Sequence, residues 1–258
     1  MKKTVLSIAA LIILGFCWRP QLVCAADEEY GSSPMQIRSY KPMYALLGVP
    51  FTKIQVSFKA SLINSVPLFF GYSQLMLWDI FVPSPKMNDV NYNPELFYRF
   101  MLDPDRGRWI DAGLWEHESN GRGDAEEKSW DRLYVRWRDR LPIGSRAKLA
   151  YEIKAWLPVH CNPHNENLAQ YRGLWELHFT LSDFLGSDWE HGDLSLRLYP
   201  GGPSQTNPLA GGQELMFRSR LPEGTVQPVI VAQIFHGFGE YMDRYSEEIW
   251  GFRAGFGF

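Results

Sequence analysis

The sequence predicts an all-β fold, an antiparallel twelve-stranded transmembrane β-barrel, on three observations. Alternating apolar and polar residues recur in segments close to the about 9–11 residues that cross a bilayer as a tilted strand. Aromatic residues make up 15% of the chain, with 10 Trp, which suits the aromatic girdles of such barrels. The final segment sets Trp250, Phe252, Ala254, Phe256 and Phe258 on one face and Gly251, Arg253, Gly255 and Gly257 on the other. That division fits a closing strand between lipid and a packed lumen.

Taken in order, the chain begins with Lys2 and Lys3, an apolar run from Val5 to Trp18, and small residues at Val23-Cys24-Ala25. This is the pattern of a secretory signal peptide over residues 1–25. The run is shorter than the roughly 20 residues needed to span a bilayer, and Arg19 and Pro20 interrupt it. Residues 26–258 are expected to form a single outer-membrane barrel domain, with 26–36 a flexible tail. Cys17 and Cys24 leave with the signal, so Cys161 remains alone and no internal disulfide can form. The signal also carries away three basic residues and no acid, leaving an acidic balance that argues against nucleic acid.

The first strand is expected over 37–48. Segment 54–62 follows, with Ile54, Val56, Phe58, Ala60 and Leu62 interleaved with polar residues. Further strands are expected at 66–78, 95–101, 107–117, 129–138, 147–157, 174–184, 193–199, 213–221, 228–236 and 250–258. Turn-rich pieces separate several of them, including Pro83-Ser84-Pro85, Asp103 to Gly107, Pro200 to Pro203 and Leu221 to Gly224. No later run of about 18 apolar residues predicts a transmembrane helix. A soluble β-sandwich is the competing architecture.

The candidate chemistry lies between Trp115 and Trp137. Residues i and i+2 of a strand share a face, so His117 and Ser119 can stand side by side, and a base beside a hydroxyl is the minimum for an activated serine. On segment 129–138, Asp131 shares one face with Leu133, Val135 and Trp137, while Arg132, Arg136 and Arg138 share the other. The arginine face should line the lumen. Asp131 then faces lipid near the interface, where a charge costs about 0–1 kcal/mol against about 2–4 kcal/mol at the midplane. Its natural partner is His117. Simple alternation opposes this, because His117 falls in phase with Trp109, Asp111 and Gly113, opposite Ile110, Ala112 and Leu114. A β-bulge would reconcile the two strands, but the sequence does not reveal one.

The acidic run Asp124, Glu126 and Glu127 reads by itself as a solvated loop. His160, Cys161 and His164 read as a loop rather than a zinc site, because a fourth ligand is missing. His178 reads as luminal packing.

His117, Ser119, Asn120, Gly121, Arg122 and Asp124, followed by Ser129-Trp130-Asp131-Arg132-Leu133-Tyr134, resemble the outer membrane phospholipase A family. Its motif runs H-x-S-N-G-R and then S-W-N-R-L-Y. Lys41-Pro42, Asn91-Tyr92 with Pro94, and Gly237 to Glu240 extend the likeness over most of the chain. The resemblance implies a bacterial outer-membrane barrel, an A1/A2-type carboxylic ester hydrolase that cleaves phospholipids and lysophospholipids, needs calcium and works as a homodimer. It implies Ser119 as nucleophile, His117 as base, Asp131 as the group orienting the imidazole, and Gly121 as an oxyanion donor. Calcium is implied at the Arg122 carbonyl, Asp124 and Glu127, completed by Ser84 of a second barrel. A dimer contact at Gln74 is implied as well, although a plain lipid-facing strand explains that residue nearly as well.

Two positions depart from the pattern. Asp131 stands where the family has Asn, and Glu127 where a Ser is familiar. An ionised Asp131 favours the imidazolium, so activity is expected at higher pH than in an Asn enzyme; Glu127 adds charge that could tighten the calcium site. The alternatives are a non-enzymatic barrel, porin-like or structural, and then a soluble secreted esterase.

Overall fold

The computed structural model describes residues 36–63, 65–185, 192–220 and 229–257. The expected signal peptide at 1–25, nearly all of the expected tail, the turn from Leu221 to Gly224, and Phe258 lie outside the described residues.

Thirteen strand segments form one antiparallel sheet. They are β1 Ile37–Ser39, β2 Tyr44–Val49, β3 Thr52–Ile63, β4 Val66–Asp79, β5 Lys86–Asp103, β6 Arg108–Ser119, β7 Ser129–Ile143, β8 Ala147–Cys161, β9 Trp175–Ser182, β10 Asp193–Tyr199, β11 Gly212–Arg220, β12 Val229–Gly237 and β13 Ile249–Gly257. β1 pairs with Phe58–Ala60 of β3, and β2 with Lys53–Gln55 of the same strand. The two are therefore halves of one barrel strand, interrupted at residues 40–43. The barrel has twelve strands, closed by pairing of β2 with β13 and of β3 with β4. Closure matters because a lipid-exposed sheet edge would leave backbone N–H and C=O groups without partners.

The expected strands are all present. The largest difference is at 95–101, where β5 extends from Lys86 to Asp103. Polar Asn88, Asp89, Asn91 and Asn93 hid its first half from an alternation search. They are tolerated there because Asp89 and Asn91 point inward and are buried.

The two faces divide as the pattern requires. Val135, Ile153, Leu157, Leu215, Ile234, Phe252 and Phe256 stand exposed on the outer wall, an apolar band far too continuous for a wall facing water. The inner face is charged and paired. Asp111 receives both Arg99 and Arg136, at 2.7 and 2.6 Å. Glu116 receives Lys154 and Arg132, at 2.8 and 3.2 Å. Glu240 takes Arg253 and Lys53, at 2.7 and 3.1 Å. In a narrow lumen each ion must be paired, because an orphaned buried charge is destabilising by several kcal/mol.

Successive strands alternate direction, so the 120–128, 162–174 and 238–248 loops lie at one end. There Leu168, of the short helix α1 Leu168–Arg172, packs with Met242 and Tyr245 on Trp130 and Trp156. These side chains cover that end of the lumen, and a cavity of about 250 Å³ remains among the charged side chains below, with His178 in its wall. Residues on the outer wall gain nothing from this interior, so a polar group found there stands out.

Candidate active site

β6 changes phase partway along. Trp109, Asp111 and Gly113 point inward and are buried, yet beyond them Glu116 is the buried residue. The register shifts between Gly113 and Glu116: Gly113 pairs with Tyr134 and Glu116 with Arg132, so Leu114 and Trp115 together oppose Leu133. This is a β-bulge. Leu114 and Trp115 are both exposed, at 45% and 41%, and His117 and Ser119 follow on the outer face. The bulge supplies what simple alternation denied.

His117 then pairs with Asp131 across the β6–β7 ladder, and its Nδ1 lies 2.9 Å from Asp131 Oδ1. The Trp115 indole Nε1 donates to the same oxygen at 3.0 Å, and its ring stacks on the imidazole at 6.0 Å. Both side chains of the pair remain partly exposed, 30% for His117 and 24% for Asp131. Ser119 pairs with Ser129 on one side and Tyr92 on the other. No hydrogen bond joins its hydroxyl to His117 in this structure. Asp131 engages Nδ1, so a carboxylate there selects the tautomer with Nδ1 protonated and leaves Nε2 as the basic atom.

The loop after Ser119 is shaped by Asn120, which is buried. Its Oδ1 accepts from the Lys128 and Arg122 backbone N–H groups, and its Nδ2 donates to the Glu126 carbonyl at 2.9 Å. Gly121 and Gly123 both have positive φ, +64° and +70°. A Cβ on Gly121 would come within 2.6 Å of the Tyr92 ring, whereas the space at Gly123 is open. Asp124 opens a 3-10 turn, Asp124–Glu126. Glu127 Oε1 accepts from Ser129 Oγ at 3.0 Å. Arg122 donates to the Asn88 carbonyl and reaches Asp243 at 3.4 Å, tying this loop to β5 and to the 238–248 loop. Ser84 is exposed on the turn between β4 and β5 at the same barrel end. Among the described residues it makes no hydrogen bond to the 120–128 loop.

Among the described residues no three His, Cys, Asp or Glu side chains form a metal cluster. A cation held by this loop would therefore depend on carbonyl and hydroxyl oxygens as well as carboxylates. Such a hard-oxygen set fits calcium and disfavours zinc.

Two residues joined the site that the sequence pattern had not assigned to it. Trp115 carried a signal, its place two residues before His117 on the same strand. His160 carried none as an Asp131 partner, because a second bulge brings it there. Asp131 pairs with His160 and Arg132 with Pro158, which leaves Val159 as the extra residue. Gln74 faces outward on β4, where its Oε1 accepts from Tyr72 Oη at 3.0 Å.

The sequence matches the family described as Phospholipase A1 over residues 50–258. It is 28% identical over 215 residues to the phospholipase A1 of Proteus vulgaris, covering 75% of this chain and 66% of that protein. Against the phospholipase A1 of Escherichia coli K12 it is 28% identical over 189 residues, covering 71% and 58%. The chain thus spans somewhat under two thirds of these relatives' length. Among solved structures it is similar to the outer membrane phospholipase A of Escherichia coli, with a TM-score of 0.69, 22% identity, and coverage of 92% and 96%. It is also similar to a Salmonella typhi outer membrane phospholipase dimer with bound calcium, with a TM-score of 0.68, 20% identity, and coverage of 88% and 94%. At these identities the structural likeness speaks for the fold.

Proposed function

The chain belongs to the phospholipase A1 family, and from that membership we propose that it is a calcium-dependent serine hydrolase of the bacterial outer membrane, cleaving acyl esters of phospholipids and lysophospholipids as a homodimer. The observation that carries this reading is the His117–Asp131 contact on the outer wall. A polar pair on an otherwise apolar outer wall serves no packing role, and it is open to whatever lies against that wall.

In the proposed mechanism His117 Nε2 accepts the Ser119 hydroxyl proton as Oγ attacks the ester carbonyl carbon. Asp131, on the Nδ1 side, stabilises the imidazolium that forms. The Gly121 N–H donates to the developing oxyanion. Collapse breaks the ester C–O bond, and the imidazolium gives its proton to the leaving lysolipid or glycerol oxygen. Water, deprotonated by His117, then releases the fatty acid from Ser119. The Arg122 carbonyl, Asp124, Glu127 and the second barrel's Ser84 would hold calcium. When bound, that ion would supply positive charge near the ester carbonyl.

The alternative of a porin-like barrel finds less support, because the lumen is crossed by ion pairs and one end is covered by packed side chains. The deciding experiment measures fatty acid release from phospholipid–detergent mixed micelles with and without calcium. Calcium-stimulated release by the parent, lost in Ser119→Ala, is expected. Equal release by Ser119→Ala would overturn the assignment, and absence of release from a folded parent would favour the non-enzymatic barrel.

A further inference from the structure

Asp131 is not held by His117 alone. Its second oxygen, Oδ2, lies 3.5 Å from Nδ1 of His160, so one carboxylate stands between two imidazoles on neighbouring strands. We propose that His160 is a positioning residue for the catalytic group: it contacts Oδ2 so that Oδ1 stays turned toward His117. The inference rests on the reading of His117 as general base and adds a residue to it.

Two observations point this way. First, the Val159 bulge is local to this pair: the β7–β8 ladder runs in register from Arg132 to Ile143 and shifts only between Asp131 and Arg132. Second, the segment that follows is pinned to the root of β7. Asn165, fully buried, receives the Ser129 N–H on its Oδ1 and donates to the Ser129 carbonyl, while Lys128 Nζ reaches the His164 carbonyl. The end of β8 is thereby tied to β7, while the His160 side chain itself stays 63% exposed.

The charged groups around this end of β8 are Asp131 and Arg132 from β7, Glu166 from the following turn, and His117 across Asp131 on β6. Arg132 is committed on the luminal side to Glu116 and Glu118. Among the described residues, Asp131 is the acid within ion-pair distance of His160.

His160→Ala is expected to lower kcat by roughly threefold to tenfold and leave KM unchanged. His160→Asn keeps a neutral donor near the Nδ1 position and is expected to restore kcat. In an Asp131→Asn background, His160→Ala should lower kcat by much less. Parental kcat in His160→Ala would overturn the proposal, as would an equal loss with and without the Asp131 carboxylate. A readout independent of turnover is the histidine ring NMR spectrum of the protein in micelles at fixed pH, where the His117 ring signal should shift in His160→Ala and return in His160→Asn. If the parent shows no Ser119-dependent hydrolysis, the proposed function falls, and this spectrum alone still decides whether His160 acts on His117.

Discussion

Replacing Asp131 separates orientation from charge. Asp131→Asn keeps an acceptor at Oδ1 for the Trp115 indole and His117 Nδ1, which lie 3.0 and 2.9 Å away, and removes only the charge. Because the ring keeps its acceptor, kcat should change little. Asp131→Ala differs in kind: it strips the acceptor from both Trp115 and His117 and frees the ring to turn. Its plateau kcat should fall by about 10²- to 10⁴-fold. The assay is fatty acid release from mixed micelles at saturating calcium. A kcat in Asp131→Asn as low as in Asp131→Ala would refute the orientation argument, and parental kcat in Asp131→Ala would refute the triad.

Gly121→Ala should abolish activity and leave the barrel folded, because φ is +64° and the new Cβ would meet the Tyr92 ring at 2.6 Å; Gly123→Ala, with open space, should lose only about 1 kcal/mol in loop stability. Comparing turnover of the two against unfolding of each in denaturant checks this, and equal losses would count against it. Glu127→Ser removes one carboxylate from the proposed calcium loop and the acceptor of the Ser129 hydroxyl, so half-maximal activity should require several-fold more calcium; an unchanged calcium titration would exclude Glu127 from the site. Asp111→Asn leaves Arg99 and Arg136 in the lumen without their shared carboxylate, and should destabilise the barrel by about 3–5 kcal/mol, read by denaturant unfolding in micelles.

Much of the architecture was legible because a membrane barrel repeats one rule on every strand. The closing strand, with Trp250, Phe252 and Phe256 outward and Arg253 inward, followed from alternation alone. So did the inward turn of Arg132 and Arg136 on β7. The first half of β5 escaped because its inward residues, Asp89, Asn91 and Asn93, resemble a loop by composition; only the register with β4 shows that they line the lumen. The motif residues could be carried over by position, but Asn120's role in folding the loop and His160's reach to Asp131 depend on contacts across 6 or more residues of irregular chain or across strands.

The least legible feature is also the one on which the site depends. A strand of fixed phase cannot send both Asp111 inward to two arginines and His117 outward to Asp131, because the two lie an even number of residues apart. Either choice without a bulge is costly. Keeping His117 outward would turn Asp111 to the lipid, where a charge is costly, and would take the shared carboxylate from Arg99 and Arg136. Keeping Asp111 inward would bury His117 and Ser119 in the lumen, turn Glu116 and Glu118 outward, and leave Lys154 and Arg132 without their carboxylates. Inserting Leu114 satisfies both halves of β6 at the expense of one ladder position. Gly113 lies beside it because the Tyr134 ring crosses that position, where a Cβ would lie 2.2 Å away. The Tyr134 hydroxyl continues to Glu95 at 2.5 Å. The bulge is therefore braced from inside the barrel, and the outward turn of His117 and Ser119 is secured by the luminal packing.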